Sequence, residues 1–192
     1  DSLIPQLKAE REICRGDVKA GLRLILGGLF RKVAVADLCG VFVTRVYSAP
    51  EPDGSAVFIA TVLFAAQIYN DFAGYSEIAA GSARLLGVRL MRNFDRPYSA
   101  ESFRDFWRRW HISLSKWLTD YVYIPLGGSR RGLARRLAAT MTVFFLSGLW
   151  HGASWSFVLW GVFHGMLVSL EALFDRRGGL RAPKIARRAV TL

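Results

Sequence analysis

Cysteine is scarce in this chain: 192 residues hold only Cys14 and Cys39. That excludes a disulfide scaffold, and the two have no metal-type spacing. Histidine occurs three times, at 111, 151 and 164, and separations of 40 and 13 match no zinc-ligand motif. Acidic side chains are in deficit, 15 against 26 Lys and Arg, which gives a formal net charge of +11. There is no low-complexity tract, no long internal repeat and no strand-like alternation, so the fold class reads as all-α. Disorder is excluded by what is abundant: 52% hydrophobic and 13% aromatic residues can bury ample surface. The opening Asp1-Ser-Leu-Ile-Pro-Gln-Leu7 is neither basic nor continuously apolar, so it is no secretory signal, and it has no initiator Met. The expectation is a piece of a longer protein.

A basic, apolar, aromatic-rich chain either binds nucleic acid or sits in a membrane with basic flanks on the cytoplasmic side. The distribution of charge favours the membrane. From Leu137 to Leu170, 34 residues carry no Asp, Glu, Lys or Arg. One spanning helix needs about 20 apolar residues. The run therefore reads as a membrane hairpin over 137–174, broken near Gly148, Gly152 and Ser154–Ser156. Arg130, Arg131, Arg135 and Arg136 precede it, and Arg176, Arg177, Arg181, Lys184, Arg187 and Arg188 follow. Two crossings put both basic flanks on one side. A second charge-free run, Gly54–Asn70, reads as a span within a helical stretch over 55–87. Residues 20–47 read as a helix with Gly27-Gly28 and Gly40 as candidate breaks. Arg23, Arg31, Lys32 and Asp37 make it interfacial or buried against other helices.

Residues 99–123 are the most patterned stretch. Phe103, Phe106, Trp107, Trp110, Leu114, Trp117, Leu118 and Tyr121 recur at helical spacing, in a stripe of about 120°. The pattern predicts one basic amphipathic helix at the membrane interface, with Ser99 as its N-cap, ended by Pro125 and Gly127-Gly128. Asp71 and Glu77 are six apart and share no helix face, so joint acid/base work is not expected, and the expectation is that they pair with Arg on neighbouring elements.

All three histidines lie in or beside the aromatic, membrane-like segments. Ionisable groups there point to function, and neutral imidazole is the one poised near neutral pH. A buried histidine can take the proton of an alcohol as it attacks an acyl carbon. The bland reading is that Gly148 and Gly152 around His151, and Gly161 and Gly165 around His164, only allow close helix packing about a structural ring. His151 is the favoured base, because it sits where the charge-free run breaks.

Three segments then resemble a known family. They are Gln67-Ile-Tyr-Asn-Asp-Phe-Ala-Gly-Tyr-Ser76; a middle block of Asn93-Phe-Asp-Arg-Pro-Tyr98, Phe106-Trp-Arg-Arg-Trp-His-Ile-Ser-Leu-Ser115 and Asp120-Tyr-Val-Tyr-Ile-Pro-Leu-Gly-Gly128; and Phe145-Leu-Ser-Gly-Leu-Trp-His-Gly152 with Trp160-Gly-Val-Phe-His-Gly165. They are similar to the membrane-bound O-acyltransferases, in the bacterial branch of alginate O-acetylation. Asn70, Ala73 and Glu77 depart from the residues more common there. The resemblance implies a multi-pass helical bundle in the inner membrane, with 1–192 as a single membrane domain incomplete at both ends. It implies that His151 matches the family's active-site histidine and His111 its second histidine, at the mouth of a tunnel. The implied chemistry moves an acyl group, acetyl by expectation, from a cytoplasmic thioester such as acetyl-CoA to a hydroxyl acceptor of an exopolysaccharide. A periplasmic acetyltransferase partner completes delivery. No tightly bound cofactor, metal or nucleic acid is expected. Trp107, Trp110 and Trp150 are the residues expected to line an apolar passage. Arg108, Arg109 and Lys116 are expected to meet the donor's phosphates, and Asp120 is the remaining substrate-binding candidate. The competing classes are a non-enzymatic transporter subunit or scaffold with structural histidines, and a soluble basic nucleic-acid binder.

Overall fold

The computed structural model of the protein describes residues 3–10 and 12–176, so the basic residues beyond Arg176 lie outside the described residues. Among those described there are helices and loops and no strand. The chain divides into two compact units, Asp1–Arg92 and Asn93–Leu192.

In the first unit a short α1 (Leu3–Lys8) precedes α2 (Arg15–Leu29) and α3 (Asp37–Tyr47), which a π-helical segment, Phe30–Ala36, joins without interruption. The glycines at 27, 28 and 40 therefore do not break the helix. The irregularity lies just after Gly28, as a change of winding. α4 (Gly54–Leu85) runs back antiparallel along this rod. Its start is fixed by Asp53, whose carboxylate accepts hydrogen bonds from the Ser55 hydroxyl and from the Ala56 and Ser55 amides, the hydroxyl foremost in holding it below the usual carboxylate pKa. Close approach needs bare backbone at two levels. A Cβ on Gly21 would lie 2.9 Å from the Gly81 carbonyl oxygen, and one on Gly74 would lie 2.7 Å from that of Gly28. The pairs are two helical turns apart on each helix, so one glycine stripe meets another. Cations that interrupt the apolar rod turn onto α4: Arg31 to Glu77 at 3.1 Å and Lys32 to Asp71 at 2.7 Å. Asp71 and Glu77 thus act separately, each held by a cation from the neighbouring element.

The second unit opens with a loop and a 3-10 turn at Pro97–Ser99. The single helix expected over 99–123 is in fact two: α5 (Phe103–Arg109) and α6 (Ile112–Leu118), followed by a π segment, Thr119–Tyr123. The cap of α5 is Ser102, whose hydroxyl accepts from the Asp105 amide at 3.1 Å, and not Ser99. The apolar stripe continues through the break, so periodicity alone does not register it. α7 (Leu133–His151) and α8 (Trp155–Arg176) form a helical hairpin with Gly152 at its turn. Their crossing is again set by glycine. A Cβ on Gly148 would press on the Phe157 carbonyl oxygen, and one on Gly161 on that of Phe144.

Among the described residues two helices, Gly54–Leu85 and Trp155–Asp175, are long and apolar enough to cross a membrane. One lies in each unit. Both leave large apolar side chains uncovered, Phe58 and Val62 on α4 and Leu159 and Phe163 on α8.

Candidate functional site

The site is built around the break between α5 and α6. Trp110 is extended (φ −105°, ψ 128°), and His111 takes a left-handed conformation (φ 44°, ψ 56°). For a residue other than glycine that conformation costs about 1–2 kcal/mol. The loop before α5 holds it in place. The Ile112 amide donates to the Asn93 carbonyl at 2.9 Å, the Ser113 amide donates to Asn93 Oδ1 at 3.2 Å, and the Asp95 amide donates to the Arg109 carbonyl at 3.0 Å. The Ser115 hydroxyl lies 3.1 Å from the Trp107 carbonyl oxygen and 3.2 Å from that of Trp110. Groups that a helix end leaves unpaired are thereby satisfied on both sides of the break.

His111 and His151 open into one cavity of about 610 Å³, walled by α5, α6, the π segment, α7 and α8. α7 supplies Arg136, Thr140, Val143, Phe144, Ser147 and His151 to its wall. These positions fall on one helix face, so the cavity is a groove along most of α7. No Asp or Glu lines it, while Arg104, Arg108, Lys116 and Arg136 do.

Aromatic contacts link the three histidines. The Trp150 ring stands 5.5 Å from His111 and 5.0 Å from His151. Trp160 lies 5.1 Å from His151 and 5.0 Å from His164. Trp107 closes the cluster against Trp160 and His164. Burial, followed by the charge of nearby His151, holds the His111 imidazole below its ordinary pKa. His164 does not line the groove. Its Nδ1 and the Trp107 Nε1 are buried without a hydrogen-bond partner among the described residues.

The structure places Trp107, Trp110, Arg108 and Lys116 on the groove wall with the two histidines. Trp150 is 60% exposed and reaches the site through its ring contacts. Arg109 is instead paired with Asp105 at 3.0 Å, and Asp120 is exposed on the π segment. Neither lines the groove. The sequence reading placed Arg136 only in a basic flank, and it did not find the clamp that Asn93 and Ser115 put on the break. The helical spacing from Arg136 to His151 is the signal that finds the first. Among the described residues no three His, Cys, Asp or Glu side chains group as a metal site would.

A family model described as MBOAT, membrane-bound O-acyltransferase family, matches residues 15–184. The chain belongs to this family. It is 40% identical to the probable alginate O-acetylase of Pseudomonas putida, over 79% of this chain and 31% of that protein. It is 34% identical to the peptidoglycan O-acetyltransferase of Helicobacter pylori, over 95% of this chain and 36% of that protein. It is 31% identical to the teichoic acid D-alanyltransferase of Bacillus subtilis, over 57% of this chain and 29% of that protein. The chain thus spans about a third of the length of these curated relatives. Membership of a membrane-bound family, with one long apolar helix in each unit, makes this MBOAT chain a membrane protein.

Proposed function

We propose that this protein passes an acyl group, acetyl in the first instance, from a cytoplasmic thioester donor such as acetyl-CoA to a hydroxyl acceptor, for O-acetylation of an alginate-like exopolysaccharide. The observation that carries the reading is that His111 and His151 open into one groove and are both in ring contact with Trp150. In the reaction the acceptor oxygen attacks the thioester carbonyl while a neutral His151 ring nitrogen takes its proton. The tetrahedral intermediate collapses, the C–S bond breaks, and the thiolate leaves and is reprotonated. General-base help of this kind contributes about 10²–10⁴-fold. His111, in contact with the same indole, holds the donor or passes protons. Trp107 and Trp110 give the passage apolar walls, and Arg108 and Lys116 draw in an anionic donor. The setting proposed is the bacterial inner membrane, crossed more than once, with a periplasmic acetyltransferase partner handing the acetyl group to the polysaccharide.

The test is acetyl transfer by His151→Ala in membranes, at matched expression and thermal stability. A drop of about 10²-fold or more is expected. Full activity in a folded variant ends the assignment and turns the histidine into a packing residue.

A further inference from the structure

Two polar atoms of the second unit are left unused by the chemistry proposed for it. His164 Nδ1 and Trp107 Nε1 are buried without a hydrogen-bond partner among the described residues, and their rings meet edge to face with centroids 5.1 Å apart. Buried polar atoms are normally paired, so each orphan calls for an account. A phenylalanine at 164 would pack as well and leave no orphan nitrogen. The two atoms are also complementary. An indole N–H can only donate, and a neutral imidazole with its proton on Nε2 accepts at Nδ1. No direct bond joins them. A water can accept from the first and donate to the second. Their surroundings connect the pair to the site. Trp107 walls the groove and is in ring contact with Trp160 at 5.6 Å. Trp160 touches both His164 and His151, at 5.0 and 5.1 Å. His164 follows Trp160 by one turn of α8 and stays off the groove wall.

We infer that His164 is a positioning residue: one buried water links its Nδ1 to the Trp107 indole N–H, and the linked pair fixes the Trp107 and Trp160 rings against which the His151 imidazole is oriented. This rests on the acyl-transfer reading for its effect on catalysis, and on the orphan nitrogens alone for the link. His164 makes no contact with the reacting atoms.

The test uses the full chain in detergent micelles, its tryptophans labelled with nitrogen-15, and Trp107→Phe identifies the Trp107 indole signal among the six. His164→Asn sets an amide oxygen close to the place of Nδ1, His164→Gln sets one nearer that of Nε2, and His164→Phe keeps only a ring. The Trp107 N–H is expected to resonate downfield, with an NOE to a bound water, in the wild type and in His164→Asn. Both features are lost in His164→Gln and His164→Phe. Acetyl transfer in membranes follows the same order. His164→Phe lowers kcat about tenfold or more with KM held, His164→Asn recovers most of it, and His164→Gln does not. A Trp107 signal unmoved by His164→Phe, or one without the water NOE in the wild type, overturns the link. Full transfer by a folded His164→Phe, or equal losses in all three variants, overturns the positioning role. The comparison of Asn with Gln stands by itself if His164→Phe fails to fold. A signal that moves as expected alongside a fully active His151→Ala refutes the histidine base and keeps the link. Transfer that needs His151, with the signal unmoved, does the reverse.

Discussion

At the scale of single residues, His111 carries two demands at once, a ring and a left-handed backbone. Asparagine tolerates that backbone far better than a β-branched residue does. His111→Asn is therefore expected to melt close to the wild type while losing transfer, and His111→Val to lose about 1–2 kcal/mol as well, measured by thermal unfolding in detergent. The pH dependence follows from the lowered pKa of this imidazole, whose ordinary value is 6.5. The unfolded chain binds the proton more readily than the folded one. The associated stability is thus complete above the ordinary value and lost as pH falls through it towards the folded one. The neutral ring persists on the acid side of 6.5, so the acidic limb of kcat/KM is expected below that value, and His111→Asn should change its shape. Sequence made the three histidines visible, because charge-poor aromatic surroundings isolate them. It did not make Asn93 visible. A carbonyl and an amide oxygen twenty residues upstream leave no periodic trace of holding the start of α6.

At the scale of elements, glycine sets the helix crossings of both units. Gly161→Ala pushes a methyl group onto the Phe144 carbonyl and against Gly148, and an overpacked contact of this kind costs about 1–3 kcal/mol. Gly54→Ala, where nothing lies within 4 Å, is the matched control and should leave the melting temperature nearly unchanged. Loss of transfer in Gly161→Ala would follow the same geometry, because Trp160 beside it touches His151. The helices themselves were legible in hydropathy and spacing, as was the turn that separates α7 from α8 near Gly152, although of these two helices only α8 is long and apolar enough to cross a membrane. The split of 99–123 was not, because an apolar stripe survives a two-residue break at Trp110 and His111. The π winding at Phe30–Ala36 escaped for a related reason: glycines mark close packing as readily as breaks.

At the scale of the whole molecule, a charge of +11 coexists with two long apolar helices, one in each unit. The apolar side chains left uncovered on α4 and α8 favour lipid or further protein over water. The protein is expected to stay with membranes through a high-salt and alkaline carbonate wash and to need detergent for release. Recovery in the detergent-free supernatant would contradict the assignment of these helices. The all-helical class and the position of both long apolar segments were readable from composition and charge-free runs. The division after Arg92 was not, because the charges and the proline around it mark a loop and loops do not by themselves separate units.

Trp150 is in ring contact with two imidazoles, 5.5 Å from one and 5.0 Å from the other. An indole so placed is also a chromophore, and a protonated imidazole in ring contact quenches indole emission. The site therefore carries its own optical probe: proton uptake by His111 or His151 changes how Trp150 glows, with no label attached.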